Sequence, residues 1–315
     1  MNGVVVKSTG SWYSVRTENG EIHKCRIRGK FRMDGIKSTN PVSVGDIVGF
    51  ELEPQKETGV IKHIHERTNY IVRKSVNLSK RTHIIASNID RAFLVITIDN
   101  PPTTTSFIDR FLVSAEAYHI PVTLLFNKID TYDEEAHDLK DELIDIYENI
   151  GYECIEISAK EGIHVDDVKE LMIDKVTLFS GHSGVGKSTL VNTIEPALNL
   201  KTLEISEQHK QGQHTTTFAE MHPLSFGGYI IDTPGIKGFG IVDFEEDEIS
   251  GYFPEFFELK QECKFHNCKH IDEPKCAVKM GLEKDRIAPS RYFSYVQIMR
   301  GEEEHFRQDI YSQKK

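Results

Sequence analysis

The segment from Gly181 to Thr189 has the residue types and spacing of a phosphate-binding loop. It matches the pattern G-x-x-x-x-G-K-[ST] and follows the apolar strand predicted over 176–180. Glycines let backbone N–H groups turn towards phosphate oxygens, and the helix predicted from Lys187 adds its positive N-terminal dipole. We expect Lys187 to pair with the β- and γ-phosphates of a nucleotide and the Ser188 hydroxyl to ligate Mg²⁺. The predicted contacts in this loop are Gly181, His182, Ser183, Gly184, Val185, Gly186, Lys187, Ser188 and Thr189.

A second motif predicts which base the nucleotide carries. Asn127-Lys128-Ile129-Asp130 matches N-K-x-D and follows the apolar run over 122–126. The Asp130 carboxylate can accept two hydrogen bonds from the N1–H and the exocyclic amine of guanine, whereas adenine presents a different edge. Ser158-Ala159-Lys160 lies 28 residues after Asp130 and would back the guanine ring. Each pattern alone is more often an ordinary loop, but beside a phosphate loop both favour guanine binding.

A third segment has the groups that a nucleotide-bound Mg²⁺ requires. Asp232-Thr233-Pro234-Gly235 comes at the end of the predicted strand over 228–231, 45 residues after Lys187. Asp232 would hold Mg²⁺ directly or through water, and the N–H of Gly235 would sense the γ-phosphate. A simple Asp-Thr-Pro-Gly turn is the alternative.

The run Gly212–Thr217 is the candidate switch loop. Thr216, or as second choice Thr215, would reach Mg²⁺ with its hydroxyl and the γ-phosphate with its backbone. His214 would orient the attacking water, or is a solvated loop histidine. GTPases usually carry a glutamine just after D-x-x-G for that task, and Ile236 stands there instead. We therefore expect slow intrinsic hydrolysis and a partner that completes or orders the site.

A cluster near the C-terminus predicts a metal site. Three of the five cysteines fall within fourteen residues, in the pattern C-x4-C-x-H-x5-C. Three thiolates and one imidazole would complete a closed, tetrahedral and therefore structural zinc site. His266 is a second candidate imidazole, and a chance cluster of reduced cysteines is the alternative. The predicted ligands are Cys263, Cys268, His270 and Cys276.

The motifs occur in a permuted order, because N-K-x-D and Ser-Ala-Lys precede the phosphate loop. A permuted chain can rebuild the same site, since the loops at strand ends are what touch the nucleotide. With a barrel before it and a cysteine cluster after it, this order closely resembles the small-subunit-dependent ribosomal GTPases, the RsgA or YjeQ family. The resemblance covers essentially the whole chain. It rests on 127–130, 181–189, 213–217, 232–235 and the Cys/His cluster.

The resemblance implies a late assembly factor for the small (30S) ribosomal subunit. Such a factor binds ribosomal RNA, and the subunit stimulates its GTP hydrolysis. The resemblance also implies His214 as the catalytic switch residue and favours His270 over His266 as the zinc ligand. One departure from some relatives is that Met1 lies almost at the first strand, which puts in doubt any contact made by a basic extension.

The elements that must position these residues fall into three predicted domains. Five short strands in residues 1–68 predict an OB-type barrel, with an SH3-like barrel as the alternative. Residues 69–242 form a predicted α/β GTPase domain that begins with a linker over 69–90. Its apolar strands alternate with helices over 107–119, 134–150 and 187–194, as in a largely parallel sheet. Residues 243–315 form a predicted zinc-binding domain with a helix from Ser290 to Tyr311.

Charge and hydropathy restrict the partners and the location. Residues 1–81 carry fifteen Lys and Arg against eight Asp and Glu, although the whole chain has a net charge of −11. On the barrel, Lys24, Arg26 and Arg28 would share one strand face. This predicts RNA binding or, as the alternative, a solvated charged face. No apolar run spans a membrane and no secretory signal is evident, so we expect a cytoplasmic protein. We also expect a monomer that binds GTP and GDP.

Two other function classes stay open at this point. The first is a P-loop ATPase or kinase, which guanine selection by Asn127–Asp130 would exclude. The second is a non-catalytic RNA-binding scaffold that uses GTP structurally, which GTP turnover with and without small subunits would distinguish.

Overall fold

The computed structural model describes residues 1–27, 41–54, 57–74, 82–199, 219–232 and 245–301. They group into two compact units. The first lies within residues 1–103 and 115–242, and the second within residues 104–114 and 243–315. The three-domain division with boundaries at 68 and 242 stays a prediction. Among the described residues, no helix is long and apolar enough to cross a membrane.

The first unit begins with a closed five-stranded barrel. Its order is β1-β2-β3-β5-β4, and β1 also pairs with β4 and so closes the barrel. β3 and β5 are parallel and the other pairs are antiparallel, which is the arrangement of an OB-type barrel rather than of the SH3-like alternative. Alternate residues such as Val5, Val15 and Cys25 point into a common core. The strands are β1 (Asn2–Ser8), β2 (Tyr13–Arg16), β3 (Ile22–Ile27), β4 (Ile47–Leu52) and β5 (Thr58–Ile64).

The prediction of a linker over 69–90 is wrong. β6 (Tyr70–Lys74) and β7 (Thr82–Ser87) pair as an antiparallel two-stranded sheet. The basic pairs in this segment hide the strand pattern, but the buried side chains of Ile71, Ile84 and Ala86 give these strands an apolar side. A short row of apolar side chains is enough to hold these two strands in place, because it packs inside a larger unit instead of forming its own core.

A six-stranded α/β sheet follows in the same unit. Its order is β10-β9-β8-β11-β13-β12, and every pair is parallel except that of β12 with β13. β12 also pairs with β1 at Lys7 and Glu220, so the barrel and this sheet are continuous. The strands are β8 (Arg91–Ile96), β9 (Val122–Asn127), β10 (Glu153–Ile157), β11 (Val176–Ser180), β12 (Glu220–Pro223) and β13 (Tyr229–Asp232).

Residues of two helices, such as Val168 and Leu190, share a buried cluster with Phe93 and Val95 of this sheet, which explains its apolar strands. Residues 92–96 of β8 are fully buried, as expected for a central parallel strand covered on both faces. The predicted helices are confirmed with shifts of up to two residues at their ends, whereas α3 and β12 were not predicted individually. The helices in this part of the chain are α1 (Thr105–Ala117), α2 (Glu134–Asn149), α3 (Val165–Glu170) and α4 (Lys187–Ile194).

The second unit contains short helices around a buried ion cluster. Arg291 is 1% exposed and donates to Asp109 at 2.7 Å and to Glu255 at 2.8 Å. The predicted helix from Ser290 to Tyr311 is too long at its C-terminal end. It ends at Met299 because Gly301 adopts a positive φ of 64°, a common helix terminator. Besides residues 104–114, which contain most of α1, this unit has the helices α5 (Glu246–Ile249), α6 (Pro254–Leu259), α7 (Ala277–Glu283) and α8 (Pro289–Met299).

Candidate functional site

The predicted nucleotide motifs converge at one edge of the α/β sheet. N-K-x-D begins at the carboxyl end of β9, Ser-Ala-Lys follows β10, the phosphate loop follows β11, and β13 ends at Asp232. These strands are parallel, so their carboxyl ends lie side by side, with Ile157 opposite Asn127 in the ladder. Ligands of open parallel sheets bind at this edge. The permuted order of the motifs is thus compatible with a single site.

The phosphate loop has a conformation that requires its glycines. Gly181, Gly184 and Gly186 have φ values of 140°, 89° and 100°, which L side chains rarely adopt. A Cβ on Gly181 would also lie 2.5 Å from the carbonyl oxygen of Val95. Val185 is fully buried, whereas Ser183 is exposed. The loop therefore anchors one apolar side chain and leaves its backbone available for a ligand.

Lys187 is held inside this loop by backbone oxygens. Its Nζ donates to the carbonyl oxygens of Gly181 at 2.7 Å and of His182 at 2.5 Å. Burial lowers the pKa of Lys187 to about 8. Burial, and then the neighbouring Lys187 charge, also lowers the pKa of His182. Both acceptors belong to the phosphate-loop motif itself. Ser188 and Thr189 lie half-buried in the first turn of α4.

Asn127 connects three of the loops through its side chain. Its Nδ2 donates to the Val185 carbonyl at 2.7 Å, and its Oδ1 accepts from the Ala159 N–H at 2.9 Å. The side chain is 2% exposed, so these bonds lie away from solvent. Because the amide uses both ends on backbone groups, it fixes the N-K-x-D loop against the phosphate loop and the Ser-Ala-Lys loop.

Asp130 is held by Ser158. The Ser158 hydroxyl donates to Asp130 Oδ1 at 2.6 Å and accepts from the Glu161 N–H at 3.1 Å. A carboxylate fixed in this way can present its remaining lone pairs to an incoming base. Lys160 extends into solvent beside Glu161, with 3.1 Å between their charged groups. Ile129 and Asp130 form a short 3₁₀ turn after Lys128, whose φ is 71°. The structure therefore brings the N-K-x-D and Ser-Ala-Lys motifs together.

The sequence interpretation missed a further loop at this edge, residues 97–103 after β8. Its Asn100 carbonyl accepts from Lys128 Nζ at 2.5 Å. Pro101 lies in ordinary contact range of Gly184, 3.4 Å from a Cβ built there. The only available signal was position, because β8 is apolar, parallel and central, and so its carboxyl end must reach the same edge. No short motif marks it.

Several predicted site residues lie outside the described residues. These are the candidate switch residues His214, Thr215 and Thr216, and the Thr233-Pro234-Gly235 turn with the following Ile236. Asp232 is the last residue of β13, and only its backbone is described. Arg28 of the predicted basic stripe also lies outside. The roles given to these residues stay predictions.

The four predicted metal ligands come together in the second unit. The ligand atoms of Cys263, Cys268, His270 and Cys276 all lie within 4.8 Å of one another. His270 Nδ1 lies 3.3 Å from Cys276 Sγ and 3.6 Å from Cys263 Sγ. Zinc bonds of about 2.0 to 2.3 Å place tetrahedral ligands roughly 3.5 Å apart, so the donor set fits. Burial raises the pKa of Cys268 to about 12, and a bound cation would offset that cost by stabilising thiolate. The cluster could hold a metal ion.

The barrel presents basic side chains on β3 and an aromatic side chain just before β2. Lys24 is exposed, and Arg26 lies over the ring of Trp12 at 5.9 Å. Trp12 is itself 42% exposed. Arg26 is partly neutralised, because it donates to the buried Glu53 carboxylate at 3.0 and 3.1 Å. The face thus combines a cation with a fixed, accessible aromatic ring.

Comparisons with known proteins agree with this geometry. The RsgA GTPase family model matches residues 64–242, and the RsgA N-terminal domain model matches residues 2–61. The chain is 66% identical over 315 residues to a small ribosomal subunit biogenesis GTPase RsgA from Flavobacterium johnsoniae, covering 99% of this chain and 97% of that one.

Two solved structures are similar over nearly the whole chain. Thermotoga maritima YjeQ has a TM-score of 0.77 and 35% identity, covering 95% of this chain and 97% of that one. YloQ, described as a circularly permuted GTPase, has a TM-score of 0.73 and 32% identity, covering 95% of this chain and 94% of that one. The central fold is therefore that of a circularly permuted GTPase.

Proposed function

Because this chain belongs to the RsgA GTPase family, we propose that it hydrolyses GTP during late maturation of the small (30S) ribosomal subunit. The observation that carries the proposal is the Asn127 amide, which joins the base-reading loops to the phosphate loop through two buried hydrogen bonds. A site that reads both a base and its phosphates needs such a fixed distance between the two halves. We infer that GTP is the substrate and that GDP stays as a ligand after hydrolysis.

The base half would select guanine through Asp130. Its carboxylate, oriented by the Ser158 hydroxyl at 2.6 Å, would accept hydrogen bonds from the N1–H and the exocyclic amine. Ala159 and Lys160 would back the ring, and the stem of Lys128 would cover its other side. Adenine presents a different edge and would leave the carboxylate without these hydrogen bonds. A site that loses buried hydrogen bonds in this way discriminates strongly against the wrong base. A P-loop ATPase or kinase would show no such preference in competition between GTP and ATP.

The phosphate half would bind through the loop backbone and Lys187. Phosphate oxygens would replace the two carbonyls that now accept from Lys187 Nζ. Phosphate charge would also favour the protonated amine that burial disfavours. Ser188, Thr216 and Asp232 would hold Mg²⁺, which when bound would neutralise charge on the phosphate oxygens.

Hydrolysis would depend on the candidate switch loop. The Ile236 side chain has no group that hydrogen-bonds water, so another side chain must position the nucleophile. We assign this role to His214, with Thr216 and the N–H of Gly235 at the γ-phosphate. Binding to the small subunit would bring this imidazole into position. Intrinsic turnover would then be slow, and the subunit would act as the activator.

Single-turnover hydrolysis tests the assignment of His214. With saturating small subunits, His214→Ala should lose the stimulated rate while GTP affinity and subunit binding stay unchanged. Correct positioning of a nucleophile removes much of the entropic barrier, so we expect a loss of at least about 100-fold. The control is His222→Ala on β12, a histidine outside the candidate switch sequence. Equal stimulated rates in His214→Ala and wild type would show that His214 is not the catalytic group. That group would then belong to the ribosome or to another residue.

Ribosomal RNA is the proposed partner of the barrel. The exposed Trp12 ring is a platform on which an unpaired base would stack, and Lys24 and Arg26 would meet the phosphate backbone. The excess of basic residues in the first 81 positions supports the same surface. We further propose that the protein acts in the cytoplasm as a monomer, and that the metal of the Cys₃His cluster is a single structural zinc ion.

A further inference from the structure

Tyr132 makes two hydrogen bonds between the ends of neighbouring strands. Its hydroxyl donates to the Asn127 carbonyl oxygen at 2.6 Å and accepts from the Ile98 N–H at 2.9 Å. Asn127 ends β9, and Ile98 lies two residues beyond the end of β8. A single phenol thus joins the base-reading loop to the loop after β8. No nucleotide motif includes this residue.

The hydroxyl occupies the place of the next rung in the ladder between β8 and β9. The Ala92 N–H donates to the Pro121 carbonyl at 2.8 Å, and the register continues unbroken to Ile96 opposite Phe126. In a parallel ladder every second residue of a strand donates, so the Ile98 N–H would be next, and its acceptor would be the Asn127 carbonyl. Both groups bond to Tyr132 instead. The hydroxyl therefore separates the two strand ends without leaving a backbone group unpaired.

The separation coincides with the start of the base-reading loop. Lys128 adopts a left-handed φ of 71° directly after Asn127 and sends its Nζ to the Asn100 carbonyl at 2.5 Å. The Thr131 hydroxyl donates to the Lys128 carbonyl at 2.8 Å. Burial raises the pKa of Tyr132 to about 12, so its hydroxyl stays a neutral donor across the physiological range. The loop that presents Asp130 thus leaves the sheet at the point that Tyr132 defines.

We propose that Tyr132 is a positioning residue for guanine recognition, which holds the ends of β8 and β9 apart and so places Asp130 against the base. This rests on the proposed base-reading role of Asp130. In Tyr132→Phe, the Ile98 N–H and the Asn127 carbonyl must either stay unpaired or close on each other. Closure would draw Asn127 towards β8 and move the loop from Lys128 to Asp130. The ring itself would stay, since only one oxygen atom is removed.

Competition between guanosine and inosine diphosphates tests this role. Hypoxanthine lacks the exocyclic amine, so IDP makes only one of the two bonds to Asp130, and wild type should prefer GDP. Tyr132→Phe should lose about tenfold in GDP affinity and clearly less in IDP affinity, so the GDP/IDP ratio shrinks. Tyr152→Phe is the matched control, because it removes a phenol that donates to Glu116 at 2.9 Å in the same unit. An unchanged ratio in Tyr132→Phe would overturn the proposal, as would an equal loss for both nucleotides.

Two further measurements separate the possible failures. Asp130→Asn should collapse the GDP/IDP ratio. If that ratio does not collapse, the proposed base site is wrong. If it collapses in Asp130→Asn while Tyr132→Phe keeps the wild-type ratio, only the positioning role of Tyr132 is refuted. Hydrogen exchange on nucleotide-free wild type needs no variant to fold. The Ile98 amide should exchange at least about tenfold more slowly than an unprotected loop amide. Exchange as fast as in an unprotected amide would contradict the hydrogen bond on which the proposal rests.

Discussion

The two compact units hold their functional residues by different means. In the first unit, the nucleotide loops follow the strands of a buried parallel sheet, and side chains such as Asn127 and Ser158 tie the loops together. In the second unit, the described α-helices after residue 243 are short, between four and eleven residues. They are organised around the Cys₃His cluster and the buried Arg291.

Because of this difference, we expect substitutions in the two units to affect stability and nucleotide binding differently. A sheet core tolerates the loss of one polar contact at its edge, because the strands stay paired and buried. A small unit built on ligands and buried charges has less apolar surface to compensate for their loss. We therefore expect substitutions in the first unit to change nucleotide binding at constant stability. Substitutions in the second unit should change stability at constant nucleotide binding.

Loss of the metal site should have the largest effect on structure. Cys268→Ser, or treatment with a chelator, should unfold the region around 263–276, because the binding free energy of a structural metal is folding free energy. GDP binding should persist, since its residues lie in the first unit. Elemental analysis should find one zinc ion per chain in wild type and in the control Cys154→Ser, and none in Cys268→Ser. A native protein without zinc would refute the assignment.

Removal of the buried Arg291 guanidinium should have the second largest effect on stability. Arg291→Met leaves the carboxylates of Asp109 and Glu255 buried without their partner, which typically costs about 3–5 kcal/mol. Chemical denaturation that follows the second unit should report this loss. The matched control is Arg286→Met on the exposed surface of the same unit, which should change stability by less than about 0.5 kcal/mol. Similar results for the two variants would argue against an ionic core.

Asp130→Asn should weaken GDP binding without unfolding the protein. The amide keeps one acceptor and puts a donor where guanine also donates, so we expect a loss of about 3 kcal/mol, or roughly 100-fold in Kd. Xanthosine diphosphate has a carbonyl in place of the amine and should bind the variant better than wild type. Asp133→Asn, at the N-terminal cap of α2, is the control and should change neither affinity. Unchanged GDP affinity in Asp130→Asn would show that Asp130 does not take part in base recognition.

The smallest expected effect is a pH dependence from Lys187. Its pKa of about 8 in the free protein means that the amine is increasingly neutral above pH 8. Phosphate binding requires the protonated form, so the Kd for GDP should rise by up to about tenfold per pH unit as pH increases from about 8 to 9. Calorimetry in buffers of different ionisation enthalpy should detect proton uptake on binding. Lys187→Met should bind more weakly and lack that uptake.

The nucleotide motifs were predictable because each combines a short pattern with a position at a strand end. The phosphate loop and N-K-x-D both follow apolar runs, and parallel strands must bring those ends together. The hairpin of β6 and β7 was missed because basic residues interrupt its alternation. The loop over 97–103 and Tyr132 carry no pattern, since their role depends on the register between β8 and β9. The burial of Arg291 could not be predicted from the sequence either, because its partners lie 36 and 182 residues away along the chain.

GTP turnover in the presence of purified ribosomal subunits tests the central claim most directly. The chain should hydrolyse GTP slowly alone, because Ile236 cannot position water. Small subunits should raise the rate by at least about 100-fold, as expected when a partner completes the site. Large subunits should leave the rate unchanged. Stimulation by large subunits alone, or no stimulation by either subunit, would contradict a GTPase that acts on the small subunit.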